Sequence, residues 1–346
     1  MPATLKDVAA LAKVSLTTAS HALNGKSVNE KTRERVVEAA KKLKYHTSSI
    51  GRNLIKNQSN TIGMFILNSK RSRDMTEEIS YYYAMLKGAL SMVQQHGYEF
   101  SFEVVDWEDI ENTDYFEKKV YGRSLDGMII VPQFEYNYGF LPTLDAEQFP
   151  YVIINPCTGI KPQNRVVMDN YKGAYLAAEH LISLGHSEIA FINGPKDHHD
   201  ARVRERGFLA ALLEKGIKFD RKNILYSDFT NEGGAEAMKQ ILGRNSGTPS
   251  AVFCANDYMA SGAMAAIYDA GMRIPKDVSV TGYDDTDISR VVYPRLTTIR
   301  SAIKEMGFKA AERVIDLVEK NGDAGRMGEI VLEPRLIVRN STALFK

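Results

Sequence analysis

From Thr61 to the C-terminus, short apolar runs alternate with longer stretches of helical periodicity, and this pattern restricts the fold more than any other feature of the chain. Strands are predicted at 61–67 (TIGMFIL), 99–105, 126–131 (DGMIIV), 150–154, 187–192 (SEIAFI), 250–254 and 278–282 (VSVTG). Between them lie helical stretches near 81–95, 171–184, 203–215, 232–242, 258–269 and 303–319. Such alternation predicts α/β architecture with doubly wound parallel sheets, whose ligands bind at the strand C-termini. TIGMFI is echoed by SEIAFI, so two similar lobes around a cleft are the natural arrangement. No apolar run is long enough for a transmembrane helix, and no membrane partner is expected. Cys157 and Cys254 lack paired spacing, and the N-terminus carries charges where a signal peptide needs apolar residues. A reducing, cytoplasmic location is therefore expected.

The first sixty residues follow a different, all-helical pattern. Thr4-Leu5-Lys6-Asp7 reads as a capping box, after which Leu5, Val8, Ala9 and Ala12 give one apolar face of a short helix. Lys13-Val14 makes a tight turn, and Ser15 caps a second helix over 15–23. That helix buries Ala19, Ala22 and Leu23 and stops at Asn24-Gly25. Asn29 starts a third helix with Thr32, Val36, Val37, Ala40 and Leu43 turned inward. Two short helices around a tight turn, buttressed by a third, make a helix-turn-helix. Ala9, Ala10, Ala12, Ala19 and Ala22 would let the first two helices cross closely. The outward face of the second helix is then Leu16, Thr17, Ser20 and His21, with Ser15 and Thr18 at its rim. These are small apolar and hydrogen-bonding groups, suited to phosphates and base edges of a major groove.

Charge supports the same reading once it is counted by segment. The whole chain carries a formal charge of +1, which by itself argues against a nucleic-acid partner. Residues 1–60, however, hold eleven Lys or Arg against four Asp or Glu, net +7, while the remainder is net −6. A small basic module joined to a mildly acidic one hints at a polyanion partner, the alternative on charge alone being a solvated basic helix, and the residue pattern above favours double-stranded DNA.

The stretch TLKDVAALAKVSLTTASHALNGK, followed by VNEKTRERVVEAAKKLKY, closely resembles the headpiece of the lac/galactose repressor family. The resemblance implies that Leu16, Thr17 and His21 face bases, and that Ser15, Thr18 and Ser20 face phosphates. His21 stands where most members have arginine, so one hydrogen bond replaces a bidentate pair to guanine and the preferred operator base can differ. Residues 45–54 correspond to the family's hinge helix, which enters the minor groove, with Ile50, Arg52 and Leu54 as candidate DNA contacts. Paired Leu54 side chains of a homodimer would wedge the central base step. The usual Pro-Asn is Thr47-Ser48 here, and a typical alanine is Gly51.

The resemblance extends through HLISLGHSEIAFINGP, ARVRERGFLAAL, AVFCANDYMASGAMAAIYDAGMRIPKDVSVTGYDDTDIS and YPRLTTIRSAIKEMGFKAAERVI. It implies a two-lobed core like a periplasmic sugar-binding protein, with three chain crossings between lobes. The expected domains are a headpiece at 1–46, a hinge and linker at 47–60 and an effector core at 61–340. Within the core, the first lobe is expected at 61–162 plus 293–325 and the second at 163–292 plus 326–340.

Candidate cleft residues follow from strand ends. Asp284 ends VSVTGYD, where a carboxylate can accept two donors, and Asn256 follows AVFCA with both a donor and an acceptor. The alternative for both is helix capping. Arg202 and Arg204 open a helix, and either guanidinium could grip hydroxyls or an anion. By resemblance Phe229 stacks on the ligand, and Tyr81, Tyr82 and Asn155 contribute from the first lobe. A carboxylate, a guanidinium, an amide and a ring suit a polyhydroxylated effector, a sugar first and a nucleobase or nucleoside second. The basic segment 68–76 is read as a cleft rim, its alternative being a site for a phosphorylated ligand. His198-His199, between two aspartates, is read as a solvated loop and not as a metal site. No cofactor motif or nucleophile elbow is present, and only Asp284 is well placed as a cleft carboxylate, so no enzyme is expected. The chain is therefore expected to be a ligand-responsive, dimeric, DNA-binding transcriptional regulator, acting as a repressor. Its competitors are control by a protein co-regulator and, in another class, a solute-binding protein. No heptad tail follows 336–338, so a coiled-coil tetramer is not expected.

Overall fold

A computed structural model describes residues 3–23, 27–45, 58–69, 79–110, 114–134, 138–157, 162, 164–244, 247–320 and 328–345. The chain divides into two compact units between Asn60 and Thr61. The hinge residues Ile50, Arg52 and Leu54, the Asn24-Gly25 stop and most of the 68–76 segment lie outside the described residues.

The first unit contains α1 (Leu5–Leu11), α2 (Leu16–Leu23) and α3 (Glu30–Lys42). Its caps are those the sequence predicts. The Thr4 hydroxyl accepts from Asp7 N while the Asp7 carboxylate accepts from Thr4 N at 2.8 Å, closing the capping box. Ser15 Oγ accepts from Thr18 N at 3.1 Å, and Asn29 Oδ1 from Lys31 N at 3.1 Å. Lys13 takes a positive φ of 52°, which turns the chain sharply between α1 and α2. Val8, Ala9, Ala12, Ala19, Ala22, Val36, Ala39 and Ala40 form the core. Two expectations fail here. Ala10 and Val37 are exposed, and Ala39 takes the inward place expected of Val37. A small residue fits where three short helices converge, whereas a valine beside it must turn outward.

The second unit holds two sheets of the same winding. Among the described residues the first has the order β11-β5-β4-β3-β1-β2, all parallel. Its strands are β1 (Thr61–Asn68), β2 (Glu99–Asp106), β3 (Gly127–Pro132), β4 (Tyr151–Ile154), β5 (Asn164–Met168) and β11 (Gly328–Leu332). Its helices include α4 (Ile79–Gln95), α5 (Trp107–Ile110), α6 (Tyr115–Tyr121), α7 (Leu141–Ala146) and α13 (Ile303–Glu319). The second sheet runs β12-β10-β9-β8-β6-β7, from β6 (Ile189–Asn193), β7 (Ile224–Tyr226), β8 (Ala251–Cys254), β9 (Ser279–Asp284), β10 (Thr297–Arg300) and β12 (Arg335–Ile337). Only β12 pairs antiparallel. Its helices are α8 (Asn170–Ser183), α9 (His199–Glu214), α10 (Asn231–Leu242), α11 (Asp257–Asp269) and the short α12 (Ile288–Val291).

The central strands of both sheets are buried on both faces, which explains the continuous apolar runs. Ile62, Met64, Ile129, Val152, Met306 and Val314 lie in the first core. In the second, Phe191 stacks on Phe253 at 4.7 Å. The chain passes between sheets three times, after Met168, Arg300 and Leu332. The lobe boundaries expected from sequence need correction at each passage. Asn164–Met168 and Gly328–Leu332 belong to the first sheet, and Thr297–Arg300 to the second. Each crossing segment completes the sheet it is leaving before it departs. Those strands read NRVVM, TTIR and GEIVL, with at most three consecutive apolar residues, so they lack the longer apolar run that marks a central strand.

Helices α4 and α13 pack through glycine. A Cβ on Gly307 would sit 2.0 Å from the Met85 carbonyl oxygen, and one on Gly88 would sit 1.9 Å from that of Lys304. Gly307→Ala must therefore push two backbones apart. An expected loss of about 1–3 kcal/mol would appear as a lower urea midpoint for the core; an unchanged midpoint would show that the helices separate freely.

Candidate functional site

On the first unit, α2 presents Leu16, 52% exposed, together with an exposed Thr17. Thr18, Ser20 and His21 are half-buried along its side. Ser15 is exposed and fixed by its capping bond and by a 2.8 Å contact with the Thr18 hydroxyl.

In the second unit a cavity opens at the C-terminal ends of both sheets, where a reversal of strand order leaves a crevice. The first lobe supplies Tyr81, Val131, Pro132, Gln133, Ile154 and Asn155; the second supplies His198, Asp200, Arg204, Phe229, Asn256, Tyr258, Asp284 and Thr286. Asp284 is the last residue of β9 and has a φ of 104°; Asp285 follows at 55°. Two successive left-handed non-glycine residues are strained, at about 1–3 kcal/mol each. The turn is held by Asp285, whose carboxylate accepts from Arg300 at 2.7 Å, Arg290 at 3.3 Å and Arg339. That anchorage aims Asp284 into the cavity. Ser301 Oγ donates to its Oδ1 at 3.1 Å, and Arg204 Nη2 lies 3.5 Å from the same oxygen. Burial pushes the Asp284 carboxyl up, and the Arg204 charge and the Ser301 hydroxyl act against that rise.

Arg204 is itself fixed on every side. Nε donates to Asn170 Oδ1 at 2.9 Å, Nη1 donates to the Ala255 carbonyl at 2.5 Å, and its face lies 3.9 Å from the Tyr283 ring centroid. Asn256 caps α11, accepting from Met259 N at 2.8 Å, and donates to the Phe229 carbonyl at 2.8 Å, so the capping role is present alongside its place in the cavity wall. Phe229 has a φ of 66° and meets the His198 ring edge-to-face at 4.9 Å.

Two expected residues do not reach the cavity. Tyr82 is 5% exposed and packs into the first core, whereas its neighbour Tyr81 lines the cavity. Arg202 is exposed and borders a separate surface pocket with Lys196, His199 and Arg206. Successive helical residues diverge by about 100°; residues two apart point nearly opposite ways, so only one arginine of the pair can face inward.

The cavity wall also contains His198 and Asp200, which the sequence does not single out, and Asp257 supports it from behind. His198 was expected in a solvated loop; instead it caps α9 and bridges the lobes, its Nε2 lying 3.1 Å from Gln133 Oε1. Burial pushes its imidazole down to about 4. Asp200, one helical turn before Arg204, is buried and accepts from Asn155 Nδ2 at 3.0 Å, a second bond across the cleft. It also corrects the expectation of a single cavity carboxylate. Asp257, fully buried behind the wall, accepts from Thr286 N at 2.7 Å and Thr298 Oγ1 at 2.5 Å and so holds the loop after β9.

A helix-turn-helix unit joined to a two-lobed ligand-binding core defines a DNA-binding, ligand-responsive transcriptional repressor. Residues 4–48 match the family of bacterial regulatory proteins described as the lacI family, and residues 178–342 match the periplasmic binding protein-like domain. The HTH-type transcriptional repressor PurR of Escherichia coli O1:K1 / APEC is 33% identical over 344 residues, covering 99% of this chain and 97% of its own. The probable HTH-type transcriptional repressor ExuR of Bacillus subtilis strain 168 is 29% identical and covers 92% of each chain. Among solved structures, the lac repressor dimer bound to operator and the anti-inducer ONPF has a TM-score of 0.83 at 27% identity, with 99% of this chain and 100% of that one covered. The transcriptional regulator CelR–cellobiose complex has a TM-score of 0.71 at 29% identity, covering 98% and 99%. The chain belongs to the lacI family of bacterial regulatory proteins.

Proposed function

We propose that the chain acts in the cytoplasm as a homodimeric repressor, with α2 of each headpiece in the major groove of an operator half-site and a polyhydroxylated effector in the interlobe cavity. Ser15, Leu16, Thr17, Thr18, Ser20 and His21 are the proposed headpiece contacts, joined by Ile50, Arg52 and Leu54 of the hinge. Tyr81, Asn155, Arg204, Phe229, Asn256 and Asp284 are the proposed effector contacts, to which His198 and Asp200 are added. The observation that carries the effector reading is Asp284, aimed by a strained turn into a cavity shared by both lobes. A carboxylate in that position accepts paired hydroxyl donors. The cavity is read as a binding site and not a catalytic one. Ligand that favours one lobe arrangement over another would shift operator affinity by its differential affinity for the two.

The test is Asp284→Asn, which keeps the shape and removes the charge. Operator affinity is measured by fluorescence anisotropy across a panel of sugars and nucleobases. For the wild type at least one sugar is expected to change affinity by about 5-fold or more. The variant is expected to bind operator as tightly as wild type without ligand and to lose that response. Loss of operator binding together with the response would assign Asp284 to structure alone, and a response to nucleobases only would replace the sugar.

A further inference from the structure

Three charged side chains stand among the described residues lining the cavity: Asp200, Asp284 and Arg204. Arg204 is committed to Asp284 and to the Asn170, Ala255 and Tyr283 contacts that fix it. His198 adds no positive charge near neutral pH. Its Nε2 faces the Gln133 amide oxygen and its Nδ1 accepts from Ala201 N at 3.5 Å, the arrangement of a neutral ring, and burial holds its imidazole at about 4. Asp200 is left with a neutral partner, the Asn155 amide, and among the described residues it forms no ion pair. Asp200 stands in the first turn of α9, where the helix N-terminus favours a negative charge, and with Asp284 against Arg204 the described charged groups of the cavity sum to one excess negative charge.

We propose that the effector is a polyhydroxylated molecule bearing a protonated amine, of the amino-sugar class, whose ammonium sits on Asp200 while hydroxyls are taken by Asp284. This rests on the cavity being the effector site. Among the described residues, a ligand carboxylate or phosphate would meet two buried carboxylates and an arginine already engaged, an arrangement that disfavours anions. Asp200 and Arg204 lie four residues apart on one face of α9, so charge and hydroxyl recognition are set side by side by a single helix.

The experiment is calorimetric titration of the full chain with three sets of monosaccharides: D-glucosamine, D-glucose and D-glucuronate, and the galactose and mannose counterparts of each. The tightest of the nine compounds is expected to be an amine, bound about 10-fold or more better than its neutral parent, as charge-assisted hydrogen bonds require. Its uronate counterpart is expected to bind worst of the three. In Asp200→Asn the ratio of amine to neutral affinity is expected to fall to about 1. A neutral sugar or a uronate as the tightest compound overturns the proposal but keeps the cavity as a sugar site. An unchanged ratio in Asp200→Asn overturns the role of Asp200. Should that variant not fold, the wild-type ranking alone decides. Failure of all nine to bind removes the sugar reading itself, and with it this proposal.

Discussion

Arg204→Ala is expected to lower the unfolding free energy of the core by about 3–5 kcal/mol, the largest effect foreseen for a single substitution in this chain. The guanidinium is 4% exposed and reaches four neighbours: Asp284, the Asn170 side chain, the Ala255 carbonyl and the Tyr283 ring. Truncation leaves the Asp284 carboxylate buried without its cation, a penalty separate from the lost packing on Tyr283. Urea unfolding followed by tryptophan fluorescence or circular dichroism measures the loss. Arg204→Met combined with Asp284→Leu is expected to recover most of it, because it removes both charges together. Arg202→Ala, at an exposed position on the same helix, should cost under about 1 kcal/mol. A loss below 1 kcal/mol for Arg204→Ala would show that the buried pair is not what holds the ends of β8 and β9.

That contrast between two arginines also marks how far the sequence can be read. Both stand in ARVRERGF, and composition gives no reason to prefer either. The choice depends on the rotation of α9 about its axis, fixed by Phe208 and Ala211 packing into the second core. The same holds for Tyr81 and Tyr82, where one ring enters the cavity and the other the core. Asp284 and Asn256 were legible because strand ends are recognisable and ligands gather there, whereas Phe229 was reached only through the family resemblance. His198 and Asp200 were not, since a polar loop of two histidines between aspartates looks solvated until the facing lobe covers it. A usable signal did exist: Asp200 precedes Arg204 by four residues, so the two share a helix face. The central strands were plain from their apolar runs, while β5, β10 and β11 were assigned to the wrong lobe because crossing strands are short and carry at most three consecutive apolar residues.

Operator affinity is expected to fall about 10³–10⁵-fold between 50 and 200 mM monovalent salt, the loss that follows when six to ten phosphates are contacted. Counting charge over the whole chain, at +1, would predict almost no such dependence. The charge is not shared out evenly, however: residues 1–60 carry +7 and the rest −6. In the proposed dimer two basic headpieces would lie against the duplex, and each phosphate neutralised releases a condensed counterion. A core of net −6 is not expected to add to that exchange, so the slope of log affinity against log salt is expected to reflect headpiece contacts. Anisotropy titrations of labelled operator at several salt concentrations give that slope directly. A slope no steeper than about −2 would mean that the +7 charge is a solvated surface, with the duplex held by something other than its phosphates. A steep slope for operator and a similar one for unrelated DNA would place the phosphates in charge of affinity, leaving Leu16, Thr17 and His21 to account for the difference between the two.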